Sequence, residues 1–180
     1  MTQFTTLALQ GRATAHTGLA ALDTERLKRM RSQTMRDCFS HIDEQKYRME
    51  FVARVRGMEF YNDAVSRSAN ATWYALNSME GRLIWIATGD AQRTDYRRIL
   101  PVARDKVAMM ICVGPNADDM SQAFGGVVSR IETASSIEEA VHVAYRSNLD
   151  SAKVIFSPAG ESGMGYEQEG DAFTSEVKEL

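Results

Sequence analysis

Four apolar runs constrain this chain more than anything else in it: RLIWIAT (82–88), VAMMICVG (107–114), SRIETA (129–134) and AKVIFSP (152–158). Each has the length of a strand, and most are apolar at nearly every position rather than at alternate ones. A strand of that kind is buried on both faces, as happens in a largely parallel sheet whose helical crossovers cover it on either side. The intervening segments have the matching pattern. After SSIEEA, the residues Ile137, Ala140, Val141, Ala144 and Tyr145 form one helical stripe, and either Ser135 with Glu138 or Ser136 with Glu139 has capping-box spacing at its start. Upstream, YRMEFVARV alternates in part and MEFYN follows Gly57, which predicts two strands around a tight turn. The expected fold is α/β and Rossmann-like, a mostly parallel sheet with helices on both faces, over residues 46–180.

Residues 1–45 read as an N-terminal strand and helix appendage. FTTLAL suits a short strand, and from residue 19 onward Leu27, Met30, Met35, Cys38, Phe39 and Ile42 fall on one helical face. Arg26, Lys28, Arg29 and Arg31 point elsewhere, as a solvated face or a phosphate grip. The apolar face is expected to fold back on the α/β domain or to pair with another copy of the chain, making a homo-oligomer.

Hydrophobic residues make up 44% of the 180, enough for one globular domain with an appendage. The net charge of -3 argues against a partner that is bound through many phosphates, so no nucleic acid is expected. A small ligand or a protein is the expected partner. Cys38 and Cys112 are far apart within apolar patterns and read as buried free thiols of a cytoplasmic protein. The amino terminus lacks a basic region followed by an apolar run, and no stretch approaches about 18 apolar residues, so neither a signal peptide nor a membrane span is expected. His16, His41 and His142 are scattered, with no metal-ligand spacing and no nucleophile constellation; no catalytic residue and no metal site is assigned.

In sheets of this class ligands gather at the carboxyl ends of the strands. Four loops qualify and are expected to face one crevice: NDAVSRS (62–68), TGDAQRTD (88–95), GPNADD (114–119) and SPAGESGMG (157–165). Asn62 and Asp63 either close a turn or meet a ligand, and Ser68 suits the cap of a helix holding Trp73, Leu76 and Met79. Asp90, Arg93 and Asp95 suit a polar ligand or a wet loop. The three glycines of SPAGESGMG let a backbone approach an anion, or simply leave the loop flexible. It does not match a P-loop or a dinucleotide fingerprint.

At these loops the chain resembles the carboxyl-terminal part of the Mur ligases, the ATP-dependent amide ligases of peptidoglycan synthesis, and within them the D-glutamate-adding branch. LALQGRATAHTGLAAL resembles the end of the family's central domain. YRMEFVARVRGMEFYNDAVSRSANATWYAL resembles its His-Arg-x-Glu strand and Asn-Asp-Ser-Lys-Ala-Thr-Asn turn. WIATGD is similar to a Gly-Gly-Asp strand end, and VIFSPAGES with EGDAF is similar to a Leu-Ser-Pro-Ala-x-x-Ser segment and a closing Arg-Gly-x-x-Phe helix. The resemblance implies that Arg48 and Asp63 lie at a nucleotide edge, with ATP or ADP as the candidate cofactor. It also implies that Asp90, Gln92, Ser157 and Ser162 lie on the substrate side, with Arg67 or Arg93 as the residue that compensates there for lost charge.

The departures are equally specific. Ser-Lys-Ala-Thr-Asn reads Ala64, Val65, Ser66, Arg67 and Ser68; the lysine after Gly-Gly-Asp reads Gln92; the His-Asn of the amino-terminal turn reads Ala13 and Thr14; and Glu169 stands where an arginine is usual. The chain contains no G-x-x-x-x-G-K-[ST]. The expectation is therefore a non-catalytic relative that binds a small anionic ligand or docks on a protein. The alternative is the closing domain of a split acid–amino acid ligase that works with a separate P-loop subunit.

Overall fold

The computed structural model describes residues 46–149 and 151–180. The expected appendage, with Cys38, Ala13 and Thr14, lies outside the described residues. Within them six strands form one sheet in the order β1-β2-β6-β3-β4-β5. The strands are β1 (Glu50–Val55), β2 (Met58–Asn62), β3 (Leu83–Ala87), β4 (Val107–Val113), β5 (Ile131–Ala134) and β6 (Lys153–Phe156). Only β1 and β2 pair antiparallel; β2 with β6, β6 with β3, β3 with β4, and β4 with β5 are all parallel. The tight turn joining β1 to β2 puts Arg56 and Gly57 at φ of 48° and 82°, the pair of positive values that a two-residue hairpin turn needs to match strand twist.

Helices cover both faces. Against one face pack α1 (Ala69–Ser78), α2 (Leu100–Lys106) and α3 (Ala117–Phe124), burying Leu76, Val102, Met120 and Phe124 on Leu83, Trp85, Met110 and Cys112. Against the other pack α4 (Ile137–Tyr145) and α5 (Tyr166–Glu179), burying Ile137, Val141, Phe173 and Val177 on Ile84, Ile86, Met109 and Phe156. β3 is buried at every residue, as a central parallel strand should be. Cys112 is a buried free thiol, its pKa pushed up to about 12 by burial.

The helix ends follow local chemistry. Ser68 Oγ accepts from Ala71 N at the start of α1, and Lys106 donates from Nζ to the carbonyls of Asn77 and Met79 at its end, a cation against the negative end of the helix. At α4 the second capping alternative holds: Ser136 Oγ accepts from Glu139 N. The Glu139 carboxylate, however, reaches back to Ser135 N and Oγ rather than to the cap itself. His142 pairs with Glu176 at 2.7 Å and so ties α4 to α5.

Helix α5 meets the β2 side closely. Asn62 Nδ2 donates to Gly170 O and to Thr174 Oγ1, and a β-carbon added at Gly170 would overlap the Tyr47 ring and lie 3.2 Å from Ala64 Cβ. Gly170→Ala is expected to lower the unfolding free energy by about 1–3 kcal/mol through overpacking, read by urea denaturation. An unchanged midpoint would show that Tyr47 yields freely.

Candidate functional site

The crevice begins with a buried brace. Asp63, at the carboxyl end of β2 and 1% exposed, accepts from Met49 N on one oxygen (3.2 Å) and from the Ser157 hydroxyl on the other (2.8 Å). Ser157 sits at the carboxyl end of β6. Its backbone N donates to Ile86 O and its carbonyl accepts from Trp85 Nε1, so one residue joins three strand ends. Thr72 of α1 adds its hydroxyl to Pro158 O at 2.6 Å and lies 3.2 Å from Ser157 Oγ. Burial pushes the Asp63 carboxyl up to about 6, against the opposing effect of the Ser66 and Ser157 hydroxyls, Met49 N and the Arg48 charge.

Above this brace lies an open cleft of about 750 Å³ lined by Arg67, Asp90, Arg93, Thr94, Arg98 and Glu161, with the amino-terminal residues of α1 at its side. An adjoining opening of about 420 Å³ shares Arg67, Asp90, Arg93 and Glu161 and adds Asn116, Ser162 and Met164. All four loops expected to face one crevice do so. Two close approaches shape its floor: a β-carbon on Gly89 would lie 3.0 Å from Gly160 N, and one on Gly160 would lie 2.5 Å from Thr94 Oγ1.

The charges in the cleft are strongly organised. Arg67 directs Nε and Nη2 at Glu161 (2.8 and 2.6 Å) and Nη1 at Glu169 (3.5 Å). Glu169, on α5, is 1% exposed; one of its oxygens accepts from Thr88 Oγ1 (3.0 Å) and Ser162 Oγ (2.6 Å), and the other has only the Arg67 guanidinium near it. Among the described residues Arg93 and Arg98 have no carboxylate partner, and Arg98 lies over the Trp73 ring at 5.3 Å.

The sequence-predicted residues therefore separate into four groups. Arg67, Asp90, Arg93 and Ser162 come together at the cleft. Ser157 and Asp63 lie beneath it, bonded to each other. Gln92 is exposed beside it, with its side chain on Asp119 at 3.3 Å, and does not line either opening. Arg48 lies between Tyr47 and Met49, both with positive φ (65° and 48°), and its Nε is buried without a hydrogen-bond partner. Of the pair, Arg48 has a donor to spare, whereas both Asp63 oxygens are engaged. No group of three metal-ligating side chains occurs among the described residues, and none of their helices is long and apolar enough to cross a membrane.

Sequence reasoning treated Glu169 as a lost arginine and missed it as the centre of a network. A signal for it was present. Where the resembled motifs carry threonine and arginine, this chain carries Arg67 and Glu169, so the charge has changed sides, and Thr88 supplies a hydroxyl where those motifs have glycine.

A parallel-sheet α/β domain whose loops converge on a charged cleft at the strand carboxyl ends matches the family described as Mur ligase, glutamate ligase domain, over residues 47–160. The chain belongs to that family. It is 34% identical to a UDP-N-acetylmuramoylalanine--D-glutamate ligase of Christiangramia forsetii over 97% of this chain, and 33% identical to that of Porphyromonas gingivalis over the same share. It spans 40% and 39% of the lengths of those relatives. Among solved structures, MurF from Acinetobacter baumannii aligns at a TM-score of 0.52 and 14% identity over 73% of this chain and 31% of that one. A folylpolyglutamate synthase of Mycobacterium tuberculosis aligns at 0.52 and 13% over 74% and 32%. Both share the fold.

Asp63 also sets a pH dependence. Its native pKa lies above the unfolded value of 3.8, so between the two the native state binds more protons and stability falls as pH rises. The unfolding free energy of the wild type minus that of Asp63→Asn is expected to drop by about 3 kcal/mol between about pH 4 and 7, a shift of about two units at 1.4 kcal/mol each. Urea titrations across that range measure it; a flat difference would mean that Asp63 titrates near its ordinary value.

Proposed function

We propose that this domain is a non-catalytic member of the peptidoglycan-ligase family that binds a small carboxylate-bearing ligand in the cleft and acts as a binding or regulatory module, with docking on a protein partner as its output. One observation carries the reading. The cleft guanidinium of Arg67 is held by this chain's own Glu161 and Glu169, in a network in which Arg67, Thr88 and Glu169 stand at positions that depart from the ligase motifs. Phosphoryl-transfer chemistry needs positive charge that is uncommitted and aimed at the transferring group. Here the position of one motif lysine is Val65, that of the other is Gln92, and the arginine that replaces neither is already neutralised. What the cleft offers a ligand is Arg93, Arg98 and the outer edge of Arg67 for carboxylates and Asp90 for an ammonium group, a set that suits a dicarboxylic amino acid such as the D-glutamate in the relatives' names.

Calorimetric titration of the full chain with D-glutamate tests this. Saturable binding is expected, weakened roughly 10- to 100-fold by Arg93→Gln, the effect of losing a charge-assisted hydrogen bond. ATP with Mg²⁺ is expected to give no turnover, and hydrolysis by the purified chain would overturn the non-catalytic reading.

A second reading, the closing domain of an ATP-dependent amide ligase completed by a separate P-loop subunit, is favoured by the unpartnered Nε of Arg48. Micromolar binding of ADP that disappears in Arg48→Gln would favour it over the first.

A further inference from the structure

Arg67 is held by two carboxylates of opposite character. Glu169 belongs to the long helix α5, is sealed from solvent and is fixed by the Thr88 and Ser162 hydroxyls. It cannot leave without stranding a buried charge, which is strongly unfavourable. Glu161 is on the loop that connects β6 to α5, its side chain is 75% exposed, and Gly163 follows it at φ of 88°. Its only polar partner among the described residues is the Nε–Nη2 edge of Arg67, the edge that a planar carboxylate from any source would take in a fork. The Arg67 side chain is 13% exposed, so it is positioned by packing and by Glu169 whether or not Glu161 is in place.

We propose that Glu161 occupies on Arg67 the position of the ligand's own carboxylate and is displaced when that ligand binds. The proposal rests on the carboxylate-binding reading above and adds the means by which the site is held shut. Glu161 acts as an internal competitor: it keeps the guanidinium neutralised and oriented in the free protein, and its release frees the 157–165 loop. A carboxylate ligand therefore binds more weakly than the cleft would allow, and occupancy is coupled to the position of a surface loop that a partner can sense.

The test is calorimetric titration of the full chain with D- and L-glutamate, comparing wild type with Glu161→Gln, Glu161→Asp and Arg67→Gln, each first checked by thermal melt. An exposed ion pair is worth up to about 1 kcal/mol, so removing the competitor should tighten binding about fivefold. Glu161→Asp should do the same, because the shorter side chain keeps the charge but cannot reach the fork, while Arg67→Gln should abolish binding of both enantiomers. Tightening by Glu161→Gln without tightening by Glu161→Asp would overturn the proposal in favour of a general charge effect. Equal affinities in wild type and both Glu161 variants, all lost in Arg67→Gln, would overturn it while leaving the carboxylate site intact. Binding by none of the proteins would remove the site and the competitor together.

Discussion

The bond between the Ser157 hydroxyl and Asp63 joins the carboxyl ends of β2 and β6, and the crevice depends on it. β6 is the last strand in the chain yet lies between β2 and β3, so its end must be registered against two strands formed much earlier in sequence. The hydrophobic faces of Phe60, Phe156 and Ile86 press the strands together but are tolerant of small slides. Directional bonds are not. Ser157 donates through its hydroxyl and backbone N and accepts through its carbonyl, to three different neighbours, and a slip of one residue would leave several buried polar groups unpaired.

That brace sets what the layer above it can do. With Asp63 enclosed, the polar groups that remain accessible come from the loops, and their position follows from how closely the loops approach. The Gly89–Gly160 contact brings the β3 and β6 loops together more tightly than most side chains tolerate, with Gly89 at a φ of 144°, and Thr94 closes over Gly160 from the side. Arg67 then emerges from the β2 loop directly opposite Glu161 of the β6 loop, with Glu169 of α5 beneath both. The sheet's carboxyl edge is ordinary for its class; the charge on it is organised around Arg67.

Strands β3, β4 and β6 were legible because burial on both faces leaves a nearly continuous apolar run, a signal that does not depend on partners. The order of the strands was not, because nothing within AKVIFSP says that it inserts between two earlier strands. Helix α2, seven residues opening with Leu100 and Pro101, had no pattern long enough to locate beyond a general expectation of helix between strands. At the site, convergence of the four loops followed from the fold class. The pairing within them did not follow: Gln92 occupies a motif position that implied a ligand-facing side chain, yet the turn closed by Asp90 on Gln92 N directs it to Asp119. Arg67 and Glu169 are far apart in sequence, and only their departures in opposite directions from the resembled motifs hinted that they meet.

The exchange of charge between Arg67 and Glu169 has a physical logic of its own. A buried carboxylate without a counter-charge costs several kcal/mol or would take up a proton, so Glu169 requires a cation near it. Arg67 meets that need from the cleft side, and by doing so its guanidinium becomes part of the core's electrostatics as well as of the crevice. A cation with that second obligation is poorly suited to following charge as it develops in a reaction, where the advantage lies in donors that serve the transition state alone. It is well suited to a standing site, where the same orientation must be kept through many cycles of occupation and release. The one oxygen of Glu169 that has no hydrogen-bond partner lies 3.5 Å from Arg67 Nη1, on the opposite side of the guanidinium from the edge that meets Glu161, so the inner and outer contacts use different donors.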